Sequence, residues 1–208
     1  MALFITFEGG EGSGKTFQAR VLFKRLSQLA IPALLTHEPG GTFLGRKLAR
    51  WLKWAQDEGI APLTELLLFN ASRVQLVEEV IRPNLKNGKV IICDRYADST
   101  TAYQSYGRGL DLEMVMNVNN TATRGITPDL TVLLDISIKE GFARKGTKRL
   151  DRFEQENIAF HQRVREGYLK LAASEPGRWL VIDAAQSKEK IQDIIWQRVS
   201  RLLSDLGD

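Results

Sequence analysis

The chain has 208 residues, 43% hydrophobic and 26% charged, with a formal charge of +4. That is enough sequence for one domain with a full core, and we read residues 1–208 as a single domain. No apolar run approaches the roughly 20 residues of a membrane span, and the first strand begins too early to leave room for a signal peptide. The basic residues form no long block, so the charge reads as solvated faces plus a local phosphate site, with neither nucleic acid nor membrane as partner. One cysteine, Cys93, excludes an intramolecular disulfide and fits a reducing cytoplasm. With it, His37 and His161 are too few for a zinc site.

The first element predicted is a buried strand over Leu3-Phe4-Ile5-Thr6-Phe7, followed by Gly9-Gly10-Glu11-Gly12-Ser13-Gly14-Lys15-Thr16 and then a helix from Phe17 to Leu29. The middle stretch matches G-x-x-x-x-G-K-[ST], and strand before and helix after are the context this phosphate-cradling loop requires. The glycines let backbone N–H groups turn inward around an anion, and the helix adds its positive end. Lys15 can then reach the β- and γ-phosphates of ATP, and the Thr16 hydroxyl can ligate Mg²⁺.

Four further apolar runs follow, Ala33–Thr36, Val90–Cys93, Leu130–Leu134 and Trp179–Ile182. Each is continuous rather than alternating, as in strands covered on both faces, and the spacing leaves room for helical crossovers. The pattern predicts an α/β fold, an open parallel five-stranded sheet of P-loop NTPase type with helices on both faces. Ligands then sit beyond the carboxyl ends of the strands, where four runs meet an acid: Glu8, Asp94, Asp135 and Asp183. Helices are expected from Glu65, capped near Thr64, to Ile81 with a stop at Pro83; from about Phe153 to Ala173; and after Ser187.

Asp94-Arg95-Tyr96 follows directly on a buried strand. Asp94 is placed to hold Mg²⁺ beside Thr16, and Arg95 offers a bidentate fork for a phosphate; a purely structural ion pair is the alternative. The stretch Ser99 to Gly109 is small, polar and aromatic, as a nucleoside pocket needs, and equally suits a surface loop. Phe69 and Arg73 share a helix face and could supply a stacking ring and a donor fork, or simply a core ring and a surface charge. No N-K-x-D guanine motif is present.

Taken in order, Phe7-Glu8-Gly9-x-Glu11-Gly12-x-Gly14-Lys15-Thr16, Glu38-Pro39-Gly40-Gly41-Thr42, Leu68-Phe69-x-Ala71-x-Arg73-x-Gln75, Asp94-Arg95-Tyr96-x-x-Ser99-x-x-Ala102-Tyr103-Gln104, Pro128-Asp129-Leu130-Thr131 and Asp151-Arg152-Phe153-Glu154 resemble the thymidylate kinase family. The resemblance covers residues 3 to about 183 and implies phosphoryl transfer from ATP to dTMP, a mobile lid and a homodimer. Carried over by motif, it implies that Arg95 holds the acceptor's 5′-phosphate, Phe69 stacks on thymine and Arg73 bonds its O4. Thr100 and Gln104 would help read the base edge. Tyr103 would lie where a ribose 2′-hydroxyl clashes, and Glu11 would approach the 3′-hydroxyl. Glu38 and Pro39 would line the acceptor pocket, with Ser99 beside them, and Arg144 would flank the donor adenine.

Departures from the family pattern are His37 where Arg is usual, Ser105 for Gly, Phe17 for Thr and Ala49 for Arg. The variable loop positions Gly10, Glu11, Gly12 and Ser13 are not basic, so the resemblance implies that the lid, about residues 139–152, supplies the cation for the transferred phosphoryl. Arg149 ranks first, then Lys148 and Lys145; a merely attractive basic loop is the rival reading. A kinase for another small acceptor, and a P-loop switch with little turnover, stay open as alternatives.

Overall fold

The structure is a computed structural model that describes residues 2–55, 59–146 and 150–205. The five apolar runs pair as five parallel strands, β1 (Leu3–Glu8), β2 (Ala33–His37), β3 (Val90–Asp94), β4 (Leu130–Asp135) and β5 (Trp179–Asp183), in the order β2-β3-β1-β4-β5. Every residue of β1 is buried, because β1 lies mid-sheet with helices over both faces. The register sets Phe7 opposite Asp94, and Asp94 opposite His37, so these strand ends open on one edge.

One face carries α1 (Lys15–Gln28) and α9 (Lys188–Asp205), whose Leu22, Leu26, Ile191, Ile195 and Val199 pack on Ile5, Phe7 and Val132. The other carries α3 (Pro62–Leu76), which buries Leu76 with Val77 and Ile81 against Phe4 and Ile91, and α8 (Ile158–Ser174), which buries Phe160, Val164 and Tyr168 against Leu133. Fully burying one such side chain contributes roughly 1.5–3 kcal/mol. α2 (Phe43–Trp54) packs along α3, and α6 (Leu112–Thr123) flanks it.

Besides the start of α1, which falls at Lys15 rather than Phe17, three helix boundaries differ from expectation. Helix α3 begins at Pro62 rather than at Glu65, since proline's missing N–H costs nothing in the first turn. It also does not stop at Pro83: a π-helical turn, Val77–Ile81, leads into α4 (Arg82–Lys86). There the Arg82 N–H bonds the Val77 carbonyl, five residues back, so Pro83 enters at the second residue of a fresh turn with no hydrogen bond to break. The helix expected from Phe153 starts at Ile158 instead, capped by the Asn157 side chain on the Phe160 N–H. Asp151 to Glu154 form a turn closed by the Asp151 carboxylate on the Phe153 and Glu154 N–H groups.

Among the described residues no helix is long and apolar enough to cross a membrane.

Candidate active site

The loop between β1 and α1 takes its shape from Gly9, Gly12 and Gly14, at φ of 137°, 67° and 92°. Gly12 has a second reason to be glycine: a Cβ there would collide with the Gly141 carbonyl on α7 (Ile138–Lys145), so that helix lies directly against the loop. The Lys15 ammonium is curled into the loop, donating to the Gly10 carbonyl (2.7 Å) and Ser13 Oγ (3.2 Å). Burial and the nearby Arg95 push Lys15 down to about 8, against the pull of Glu11, Asp94 and Glu8. The first turn of α1 contains no acid, so its positive end is left for an anion. The Thr16 hydroxyl donates to the Asp94 carboxylate, which joins the loop to the end of β3.

Arg95 stands next, in the left-handed region at φ 71°, a rare conformation for a side-chain-bearing residue. Two bonds hold that turn: the Arg95 N–H donates to the Phe7 carbonyl (3.0 Å), and the Tyr96 N–H to Glu8 Oε1 (2.8 Å). The guanidinium donates through Nη1 to Ser99 Oγ and Tyr168 Oη (both 3.1 Å) and through Nη2 to Glu11 Oε1 (3.0 Å). Ser99 and Tyr168 in turn donate to Glu8 Oε2, so one buried carboxylate holds both the backbone and the partners of Arg95. Burial and Asp98 push Glu8 up to about 7, although Arg95 and the Ser99 and Tyr96 hydrogen bonds oppose them. Burial would also raise Glu11, but Arg95, Lys15 and Lys145 outweigh it and hold that carboxyl down to about 2. Glu11 thus stays anionic between three cations, one each from loop, strand end and α7.

The far end of the cleft is built by α3 and by a helix that the sequence left open as a surface loop. α5 (Ala97–Thr100) runs into a π-helical turn, Thr101–Gly107, whose Tyr103, Gln104 and Ser105 are buried. This stretch packs between α3, α6 and α8, so small residues are needed for close approach; a Cβ on Gly107 would meet Phe160. The Phe69 ring lies beside Phe153 at 5.6 Å between centroids. Arg73 is 1% exposed, and all five of its N–H groups are engaged. Nε donates to Glu38 (2.8 Å), Nη1 to Asn70 (3.0 Å) and Asn119 (2.8 Å), Nη2 to the Tyr96 carbonyl (3.2 Å) and Thr100 Oγ1 (2.6 Å).

One cleft therefore gathers Glu11, Lys15, Thr16, Glu38, Pro39, Phe69, Arg73, Asp94, Arg95, Ser99, Thr100, Tyr103 and Gln104. Arg144 stands apart from it, donating to the Ala184 carbonyl (2.8 Å) just after β5. Lys148 and Arg149 lie outside the described residues. Lys145, ranked below them, ion-pairs with Glu154 and lies 3.7 Å from Glu11. Of the four strand-end acids, Glu8 and Asp94 belong to this centre. Asp135 is taken by Arg165 (2.6 and 2.8 Å), and Asp183 caps its own turn at Ala185. Tyr168, Asn119 and Glu65 were not singled out from sequence. Each acts through a partner far along the chain, and nothing local marks them.

A parallel sheet with a phosphate loop at its central strand, opening on one lined cleft, defines a P-loop nucleotide-binding protein. Comparison with known proteins narrows the class. The thymidylate kinase family model matches residues 7–195. Thymidylate kinase of Dehalococcoides mccartyi strain 195 is 53% identical over 203 residues, covering 98% of both chains. That of Trichormus variabilis is 48% identical over 205 residues, covering 97% of both. A crystal structure of thymidylate kinase from Ehrlichia chaffeensis superposes with a TM-score of 0.73 at 36% identity, covering 86% of this chain and 91% of that one. The chain belongs to the thymidylate kinase family.

Proposed function

We propose that this protein transfers the γ-phosphoryl group of ATP to dTMP, giving ADP and dTDP in the synthesis of dTTP. The observation that carries the proposal is the single cleft in which Lys15 and Thr16 face Phe69, Tyr103 and Gln104, with Arg95 between them. The loop cradles the donor phosphates, Lys15 neutralises them, and Arg144 flanks the donor base. Arg95 grips the acceptor phosphate, Phe69 stacks on thymine, and Thr100, Gln104 and Arg73 define its edge. Arg73 contacts O4 only by releasing one of its internal partners. The acceptor oxygen is already anionic, so no general base is needed; catalysis is alignment and neutralisation of charge. The lid closes over the transferred phosphoryl, with Lys145 entering beside Glu11.

Thr16 and Asp94 fit a magnesium site. They offer one hydroxyl and one carboxylate already in contact, and magnesium takes its other ligands from phosphates and water. When bound, Mg²⁺ supplies charge neutralisation across the donor phosphates.

The protein acts as a homodimer in the cytoplasm. α3 leaves Leu63, Leu67 and Val74 exposed in one stripe, and α6 beside it exposes Leu112 and Met116. A joint apolar face of this kind is what a two-fold interface buries. Light scattering at micromolar concentration should give twice the 23.4 kDa chain mass; the single mass would remove the interface.

A coupled ADP-release assay across dTMP, dUMP, dCMP, dGMP and UMP tests the reaction. dTMP should give the highest kcat/KM. Preference for another acceptor would point to a different kinase of this architecture, and no turnover with any of them to a binding module.

A further inference from the structure

We propose that Glu65 sets the choice of base, by fixing the side-chain amide of Gln104 so that its carbonyl oxygen faces the ligand. The inference rests on the placement of thymine beside Gln104 given above.

Glu65 lies in the first turn of α3 and is fully buried. Its Oε1 accepts from Gln104 Nε2 at 2.8 Å. Gln104 lines the cleft, and among the described residues its own Oε1 has no hydrogen-bond partner. An amide can be turned over, exchanging oxygen for NH₂, at almost no cost in shape. Here the turn is blocked, because an ionised carboxylate only accepts: the reversed amide would set oxygen against oxygen in a buried site. Two arginines fill the rest of the Glu65 carboxylate. Arg108 donates to it from Nε (3.1 Å) and Nη2 (3.2 Å), and Arg152 forms an ion pair with Oε2.

The consequence is chemical selection. Thymine carries a hydrogen on N3 and can donate to a waiting carbonyl. Cytosine presents a bare N3 lone pair at the same place and leaves two acceptors facing each other. A site built around one hydrogen bond rejects the analogue that cannot make it far more strongly than shape alone does. Glu65 is thus a positioning residue, acting through Gln104, and the arginines about it hold its carboxylate in place.

The test compares kcat/KM for dTMP and dCMP in the full-length protein, with thermal unfolding measured alongside. Glu65→Gln puts a neutral amide beside Gln104, and either orientation of Gln104 then finds a partner. Arg108 keeps Glu156 and Arg152 keeps the Leu52 carbonyl, which supports the variant's folding. The dTMP-to-dCMP ratio should fall by about tenfold or more, with the KM for ATP unchanged. Glu65→Asp, still acceptor-only, should retain the preference. In a Gln104→Leu background, Glu65→Gln should leave the ratio where Gln104→Leu put it. A lower melting temperature with equal losses on both substrates would make Glu65 a structural residue only and overturn the proposal. Should Glu65→Gln fail to fold, N3-methyl-dTMP with the unaltered enzyme decides: a loss of about tenfold or more in kcat/KM is expected, and turnover equal to dTMP overturns the proposal. Absence of dTMP turnover in the unaltered enzyme overturns the pocket assignment and this role with it. Normal dTMP turnover with an unmoved ratio in Glu65→Gln overturns only the role of Glu65.

Discussion

Arg73→Ala tests whether this residue is a reader of the base or a keystone of the pocket. Its guanidinium pairs with Glu38 at side-chain exposures of 1% and 3%, and its other N–H groups hold Asn70, Asn119, Tyr96 and Thr100. Removing one partner of a buried ion pair strands the other, at a cost of roughly 3–5 kcal/mol. For a chain of this length each kcal/mol lowers Tm by about 2–4 °C, so Arg73→Ala should melt about 6–20 °C below the unaltered protein. The deficit has a signature in pH. Burial already raises Glu38 above its ordinary 4.5, while Arg73 lowers it; without Arg73 the rise is larger. A raised folded-state pKa gives stability that is present below the unfolded value and lost as pH rises through the folded one. The gap in Tm between the two proteins should therefore widen as pH rises above the ordinary 4.5 of Glu38. Arg73→Met with Glu38→Gln removes both charges and should recover most of the loss. Differential scanning calorimetry over that range settles it. A variant Tm within about 2 °C of the unaltered protein at pH 8 refutes the buried-pair argument and returns Arg73 to a ligand-facing role.

Three more outcomes are expected. Tyr103→Ala should raise kcat/KM on ribo-thymidine monophosphate relative to dTMP, whereas Tyr103→Phe, which keeps the ring and loses the bond to Glu11 (3.1 Å), should leave that ratio alone; movement in neither variant would place the sugar gate elsewhere. Lys145→Ala should lower kcat by about tenfold with the KM for ATP changed by less than about twofold, as for a cation acting in the transition state, and full turnover restored at saturating ATP would reduce the lid to an attractive surface. In the free enzyme Lys15 loses its proton as pH rises through about 8, so kcat/KM for ATP should decline above that value, and a level profile to about pH 9 would show that the loop holds its ammonium by other means.

What could be read from sequence was what is local. The strand, loop and helix around Lys15 are contiguous, and continuous apolar runs announce buried parallel strands without reference to their neighbours. The helix through Thr101–Gly107 was not legible. Its residues are ambiguous by composition, and only packing against α3, α6 and α8 decides that they wind up and bury their side chains. Pro83 misled for a related reason: the π-helical turn that admits it depends on how Val77 and Ile81 seat in the core.

The same distinction explains why cleft-lining residues were legible and the contacts that support them were not. Arg95 and Gln104 sit in short motifs, and Phe69 and Arg73 on one helix face. What aims them is a set of buried carboxylates from other elements. Glu38 holds Arg73 across 35 residues, Glu65 holds Gln104 across 39, and Glu8 holds the Tyr96 N–H beside Arg95 across 88. Glu8 and Glu38 cost desolvation, since burial penalises their charge. Each gives back rigidity, because an acceptor-only group in a closed site leaves its donors a single arrangement. Phosphoryl transfer depends on alignment within fractions of an ångström, and these carboxylates fix the side chains that line the cleft. Glu8, a strand-end acid that looks from sequence like a candidate for chemistry, holds the turn at Arg95 instead.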